Sequence, residues 1–152
     1  MAGKVKFPNN DPTFTFELPA GWTFEDDKDG NLNCYPNDDS GYAFSIMILD
    51  HIHNQKELKA ALPDLAKSMA DGAKIKDFKL GDLDTSKNGN GISFMGLAGD
   101  GKVEEADFVV RVHAFEVPKG KFYAIVTAGS AKADDKLESK YDDITTSIEP
   151  LE

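Results

Sequence analysis

Apolar and polar residues alternate near the start of the chain: Phe14, Phe16 and Leu18 against Thr13, Thr15 and Glu17. A period of two predicts a strand with one buried face. Pro19-Ala20-Gly21 reads as a turn, and Trp22-Thr23-Phe24-Glu25 repeats the alternation. Asp26-Asp27-Lys28-Asp29-Gly30 interrupts it and residues 32–35 resume it, so the Asp-Gly step predicts a hairpin. A second turn is expected over Pro36-Asn37-Asp38-Asp39-Ser40-Gly41. Residues 42–49 are apolar on both faces, Tyr42, Phe44, Ile46 and Ile48 against Ala43, Met47 and Leu49. That predicts an interior strand covered on both sides.

The period changes at Asn54. Asn54-Gln55-Lys56-Glu57 has the form of a capping box, and Leu58, Leu62, Leu65 and Met69 follow as one helical stripe. Pro63 lies inside the stripe, lacks an N–H, and is expected to kink the helix without changing its phase; Gly72 should end it. Strands then return. Phe78, Leu80 and Leu83 suggest an irregular strand, Asn88-Gly89-Asn90-Gly91 a turn, residues 92–98 a strand, and Gly99-Asp100-Gly101 another turn. Phe108, Val110, Val112 and Ala114 alternate with Val109, Arg111, His113 and Phe115; Pro118-Lys119-Gly120 turns the chain into a strand over 122–128. A closing helix is expected over about 133–147, with Leu137, Tyr141, Ile144 and Ile148 in one stripe and Asp134 and Asp135 near its positive end.

The order is strands, helix, strands, helix. The short links between strands from residue 92 onward demand antiparallel pairing, and both amphipathic helices must dock on the sheet. The expected class is α+β, an antiparallel sheet sandwiched by helices, in a single domain over residues 1–152, with no internal repeat.

Composition narrows the function classes. Seventeen basic residues oppose 27 acidic ones, a formal net charge of −10. Nucleic-acid affinity comes mainly from neutralising phosphates, so no nucleic-acid partner is expected. Sixteen of the cations are Lys and one is Arg111, which disfavours bidentate phosphate or carboxylate clamps. No run of 18 apolar residues exists, so no membrane-spanning helix is expected. Cys34 is the lone cysteine, which excludes an internal disulfide framework and is compatible with either redox compartment. Residues 1–7 contain no apolar signal core; the chain is either intracellular or a mature domain behind a new initiator Met.

Two stretches resemble a known fold group. Phe14-Thr-Phe-Glu-Leu-Pro-Ala-Gly-Trp22 is similar to the opening of the PsbP/Mog1-like domains, a short strand followed by Leu/Tyr-Pro-x-Gly-Trp. Phe122-Tyr-Ala-Ile-Val-Thr-Ala-Gly-Ser130, the helix carrying Tyr141 and the Thr-Ser-Ile exit resemble that group's last strand and C-terminal helix. In element order the resemblance covers residues 5–151. It implies a central antiparallel sheet with helices on both faces. The group includes photosystem subunits, a nuclear GTPase-binding protein, secretion-effector chaperones and uncharacterised bacterial exported proteins, and most members of known role bind proteins. The resemblance therefore implies a non-enzymatic binding or accessory protein with a protein partner, periplasmic or secreted in a bacterium. No family binding residue maps onto this chain, no cofactor is implied, and oligomeric state is not encoded in any motif.

Candidate chemistry is sparse. In the extended segment Asp50-His51-Ile52-His53 the two imidazoles share a face, a spacing that suits Zn²⁺ or Cu²⁺; His113, the remaining histidine, would be a third ligand if its strand neighbours this end. The competing reading is a polar strand exit leading into the Asn54 cap. Asp27, Asp29, Gly30 and Asn31 are similar to the middle of a calcium loop, but alignment on Gly30 puts Glu25 and Pro36 where the first and closing carboxylates belong. Solvated acidic turns are the alternative. Cys34, between acidic turns, is expected to be an inert buried thiol. No Gly-x-Ser-x-Gly elbow is present, and Ser130 reads as a strand-to-helix corner. Trp22 and the ten Phe residues either fill the core or line a cavity for a small apolar ligand under the first helix.

Overall fold

The computed structural model describes residues 3–7, 12–18, 21–26, 31–36, 43–49, 52–117 and 121–150, with the backbone alone for Gly3, Pro36, Ala43, 133–138 and 140. Eleven strands and two helices are present among these residues. They are β1 (Gly3–Phe7), β2 (Phe14–Leu18), β3 (Trp22–Asp26), β4 (Leu32–Pro36), β5 (Ala43–Ile48), α1 (Gln55–Gly72), β6 (Lys76–Leu80), β7 (Asp84–Lys87), β8 (Ser93–Val103), β9 (Ala106–Val117), β10 (Lys121–Ser130), α2 (Ala131–Ser147) and β11 (Glu149–Pro150).

The large sheet has the order β3-β4-β5-β10-β9-β8-β6, with β7 also on β8, and every pair is antiparallel. The small sheet is β1-β2-β11. The doubly apolar strand β5 is interior, between β4 and β10, as its sequence predicts. After β5 the chain crosses through α1 to the far edge, then returns by the β8-β9-β10 meander to close on β5.

The two faces of the large sheet are packed differently. Phe44, Ile46, Phe115, Tyr123 and Ile125 meet α2 and the small sheet, where Phe7, Phe14, Phe16, Tyr141 and Ile144 complete a largely aromatic layer. Phe14 stands edge-on to its neighbours, its ring 5.0 Å from that of Tyr123 and 5.2 Å from that of Phe115. The Tyr123 hydroxyl, at one end of this layer, bonds Thr13 Oγ1 at 2.7 Å. The opposite face meets α1 through small side chains: Ala66 and Ala70 on the helix, Val110, Val112, Ala114, Ala124 and Val126 on the strands. Beneath α1 the described side chains pack as alanine against valine and alanine, and Phe7, Phe14, Phe16, Phe44, Phe94, Phe115 and Phe122 are buried in the core.

Helix α1 begins as its motif predicts: Asn54 Oδ1 accepts the Glu57 N–H at 2.9 Å. Glu57 reaches back one residue further than a capping box, its Oε1 accepting the His53 N–H at 2.9 Å. The helix runs through Pro63 without dividing; the Lys59 residue that loses its bonding partner is exposed, so water can satisfy that carbonyl. Leu58 and Leu62 are buried, but Ala66 and Ala70 replace Leu65 and Met69 at the deepest contact, and the latter two are half-buried. The exit is a Schellman motif: Ile75 N–H bonds Ala70 O and Lys74 N–H bonds Asp71 O, with Lys74 at φ +61.

Three expectations about the strands are corrected. Gly99-Asp100-Gly101 is not a turn but lies inside the continuous strand β8; the chain turns at Glu104-Glu105, both at positive φ. The glycines serve close approach instead: a Cβ on Gly99 would lie 2.5 Å from Phe78 Cζ, and one on Gly101 2.3 Å from Ile75 Cγ2. Phe78, Leu80 and Leu83 do not share one strand, since β6 ends at Leu80 and β7 starts at Asp84. Residues Gly3–Phe7 form a further strand, with Val5 and Phe7 buried and Lys4 and Lys6 exposed, an alternation that the sequence carries and that the expected element order left out. The Pro118-Lys119-Gly120 and 37–42 turns lie outside the described residues, as does the side chain of Leu137.

Candidate functional site

His53 and His113 do not converge. His53 is exposed on the α1 side of the sheet, one residue before the helix cap, and His51 lies outside the described residues. His113 is on β9 opposite Gly96 and Ile125, on the face that packs against α2. The large sheet therefore stands between His113 and His53. The alternation of β9 sends Ala114 and Glu116 toward α1 and His113 to the face that meets α2. Among the described residues, no three His, Cys, Asp or Glu side chains are grouped as for a metal ion.

His113 has a structural setting of its own. Its Nδ1 hydrogen-bonds the Tyr141 hydroxyl, and the two ring centroids are 5.3 Å apart. Burial, reinforced by the Arg111 charge, lowers its pKa from 6.5, against weaker opposing pulls from Asp142 and Asp84. The imidazole is neutral at pH 7 and fixes α2 on the sheet.

The other sequence candidates resolve individually. Cys34 is fully buried and its thiol is pushed up to about 12 by burial, so it stays protonated and unreactive. Ser130 ends β10 directly before α2, the predicted corner. Glu25 and Pro36 lie on the paired strands β3 and β4, not on the flanking helices a calcium loop of that type requires; Asp27, Asp29, Asp38 and Asp39 lie outside the described residues. A polar hollow of about 370 Å³ lies between the start of α1 and the β7–β8 pair, lined by Gln55, Thr85, Lys87, Ser93 and Met95. Gln55 Nε2 donates to Glu116 Oε1 at 2.9 Å beside it.

The feature that sequence reasoning missed is the β3–β4 end of the large sheet. Phe24 is 49% exposed and Tyr35 37% exposed, the two large apolar side chains most open to water among the described residues. They lie on opposite faces: Phe24 pairs with Cys34, while Tyr35 pairs with Thr23. The Glu25 carboxylate beside it raises the pKa of the Tyr35 hydroxyl. On the α2 face Leu32 and Cys34 of β4 are buried, whereas β3 is half-buried at Trp22 and exposed from Thr23 to Asp26. Ser45 Oγ donates to Asn33 Oδ1 at 2.8 Å on the Tyr35 side, so this open face is an ordered polar surface. A signal was present in the sequence: residues 8–55 carry nine acidic side chains against Lys28 alone, −8 of the net −10. The segment that builds the open end also carries most of the charge.

Two helices and a large antiparallel sheet define an α+β sandwich. The fold is PsbP/Mog1-like. The chain is similar to the solution structure of cyanobacterial PsbP (CyanoP) from Synechocystis sp. PCC 6803, with TM-score 0.67, 14% identity, and coverage of 99% of this chain and 92% of that one. It is similar to the crystal structure of LpqN, involved in cell envelope biogenesis of Mycobacterium tuberculosis, with TM-score 0.68, 12% identity and coverage of 99% and 92%. It is also similar to the Ran-binding protein Mog1p of Saccharomyces cerevisiae, with TM-score 0.65, 9% identity and coverage of 97% and 94%. No family model matches the chain, and no curated protein matches it. No helix among the described residues is long and apolar enough to cross a membrane.

Proposed function

We propose that the chain is a non-enzymatic accessory protein that binds a protein partner through the β3–β4 end of its large sheet. The observation that carries this reading is the pair Phe24 and Tyr35, exposed on the two faces of one hydrogen-bonded strand pair at the edge of the large sheet. Protein interfaces are enriched in aromatic anchors of this kind. The solved neighbours support it: Mog1p binds Ran, and CyanoP and LpqN share the same frame. Export to a periplasmic or extracellular location is part of the proposal and rests on LpqN, whose role is in cell envelope biogenesis.

Affinity capture from the native cells tests the binding role, using wild type and a Phe24→Ser/Tyr35→Ser variant. One stoichiometric protein partner held by wild type and lost by the variant is the expected result. A partner retained equally by both, or saturable turnover of a substrate by the purified protein, overturns it. Fractionation of the same cells tests export, and a purely cytoplasmic pool overturns that part.

A further inference from the structure

We propose that β3 is a strand-addition edge, and that its occupant is an extended Lys/Arg-rich segment of the partner protein. This rests on the protein-binding reading above and specifies its mode.

Among the described residues five strands lie at sheet edges, β1, β3, β6, β7 and β11, and they are treated unequally; β7 is four residues long and ends in Lys87. At the far edge of the large sheet, β6 carries Lys76 and Lys79, a register shift between them, and Asp77 at φ +56. Each of these devices twists or charges an edge against unwanted pairing. In the small sheet, β1 presents exposed Lys4 and Lys6, and β11 is two residues long and contains Pro150. Strand β3 has no such lysine, register shift or proline, and its two charges, Glu25 and Asp26, are both acidic. Trp22–Asp26 contains no lysine and no proline, and it pairs with β4 in unbroken register over five residues, Trp22↔Pro36 to Asp26↔Leu32. Among the described residues β3 pairs with β4 alone. In an antiparallel pair every second residue of an edge strand aims its N–H and C=O outward. Those groups form a template for one more strand.

Charge selects the occupant. Glu25 and Asp26 are exposed on β3, and no Lys or Arg lies among the described residues of β2, β3, β4 or β5. A second copy of this chain would bring the same acidic edge against itself, and like charges opposite one another destabilise a strand pair. A basic segment meets the opposite sign and is drawn in at long range. Phe24 on one face and Tyr35 on the other then bracket the added strand with apolar surface.

The test uses the isotope-labelled full chain and three ten-residue peptides: alternating Lys and Val, the same with Glu for Lys, and the Lys peptide with Pro at every second Val. Amide shifts and hydrogen exchange are read throughout. Expected is saturable binding of the Lys-Val peptide with exchange slowed at least tenfold at outward-facing β3 amides and unchanged in β8 and α1. Expected also is at least tenfold weaker binding for the Glu peptide, the Pro peptide, and the Lys-Val peptide on a Glu25→Lys/Asp26→Lys variant. Equal binding of the Pro peptide, or no protection in β3, overturns strand addition. Equal binding of the Glu peptide overturns the charge selection. No binding of the Lys-Val peptide overturns both. None of these results touches the partner capture by wild type and its loss in the Phe24/Tyr35 variant, so the two proposals fail separately.

Discussion

Gly96 and His113 face each other across the β8–β9 pair, and the imidazole fills the space that a side chain on Gly96 would need: a Cβ there would stand 2.4 Å from His113 Cδ2. The missing side chain lets the ring lie against the sheet, where Tyr141 of α2 reaches it. Burial of the ring there favours its neutral form, so the stability it confers depends on pH.

His113 has a folded-state pKa below its ordinary 6.5, so the unfolded chain takes up the proton first as pH falls. The stabilisation is fully present above pH 6.5 and is lost as pH drops through the folded pKa. Thermal melts from about pH 7.5 down to about pH 5 should show wild type losing Tm faster than His113→Gln. Parallel curves would refute this role.

The glycines of β8 make room for β6. Gly101→Ala places a Cβ 2.3 Å from Ile75 Cγ2 and 2.6 Å from the Lys76 carbonyl oxygen, and that backbone atom cannot swing away. The variant should lose about 1–3 kcal/mol in urea denaturation. Gly89→Ala, with nothing within 4 Å of the new Cβ, should stay within about 0.5 kcal/mol of wild type.

Glu104 and Glu105 form the β8–β9 turn at φ +50 and +70, a conformation that Asn-Gly adopts at far lower cost. Glu104→Asn/Glu105→Gly should raise stability by about 1–2 kcal/mol, measured by chemical denaturation. The exposed Lys102–Asp107 ion pair at 2.6 Å beneath the turn would be unaffected.

Thr127 is buried on β10, and its hydroxyl finds no hydrogen-bond partner among the described residues. Thr127→Val keeps the shape and removes the unsatisfied group. It should raise the denaturation midpoint by the equivalent of about 1 kcal/mol; a loss of similar size would show that the hydroxyl has a partner.

Zinc binding at the α1 entry would use His51 and His53, because His113 lies on the other side of the sheet. Calorimetry of such binding should show its loss in His53→Ala and no change in His113→Gln. A loss in the His113 variant would contradict the strand alternation of β9.

Much of the framework is legible in local pattern. Phe14, Phe16 and Leu18 do alternate into the core, Asn54 does cap α1, and Tyr141 and Ile144 are buried on α2, with Ile148 buried just beyond its end. Each of these depends on neighbours within a few residues. Gly99 and Gly101 misled because a glycine pair has two uses, turning a chain and admitting another backbone, and only the position of β6 distinguishes them. Phe24 misled for a similar reason. Its alternation with Thr23 and Glu25 is that of a half-buried strand, yet β3 lies at the edge of the sheet and Phe24 stays open to water.

The sequence by itself determined the element types, the antiparallel meander, the two packing helices and the acidic excess, because periodicity and charge are properties of consecutive residues. The tertiary structure alone decided that His113 and His53 lie on opposite faces, and that the least guarded edge belongs to the most acidic third of the chain. Strand order is set by pairings such as β5 with β10, between residues some 80 positions apart, and no local pattern records which strand such pairings leave at the edge.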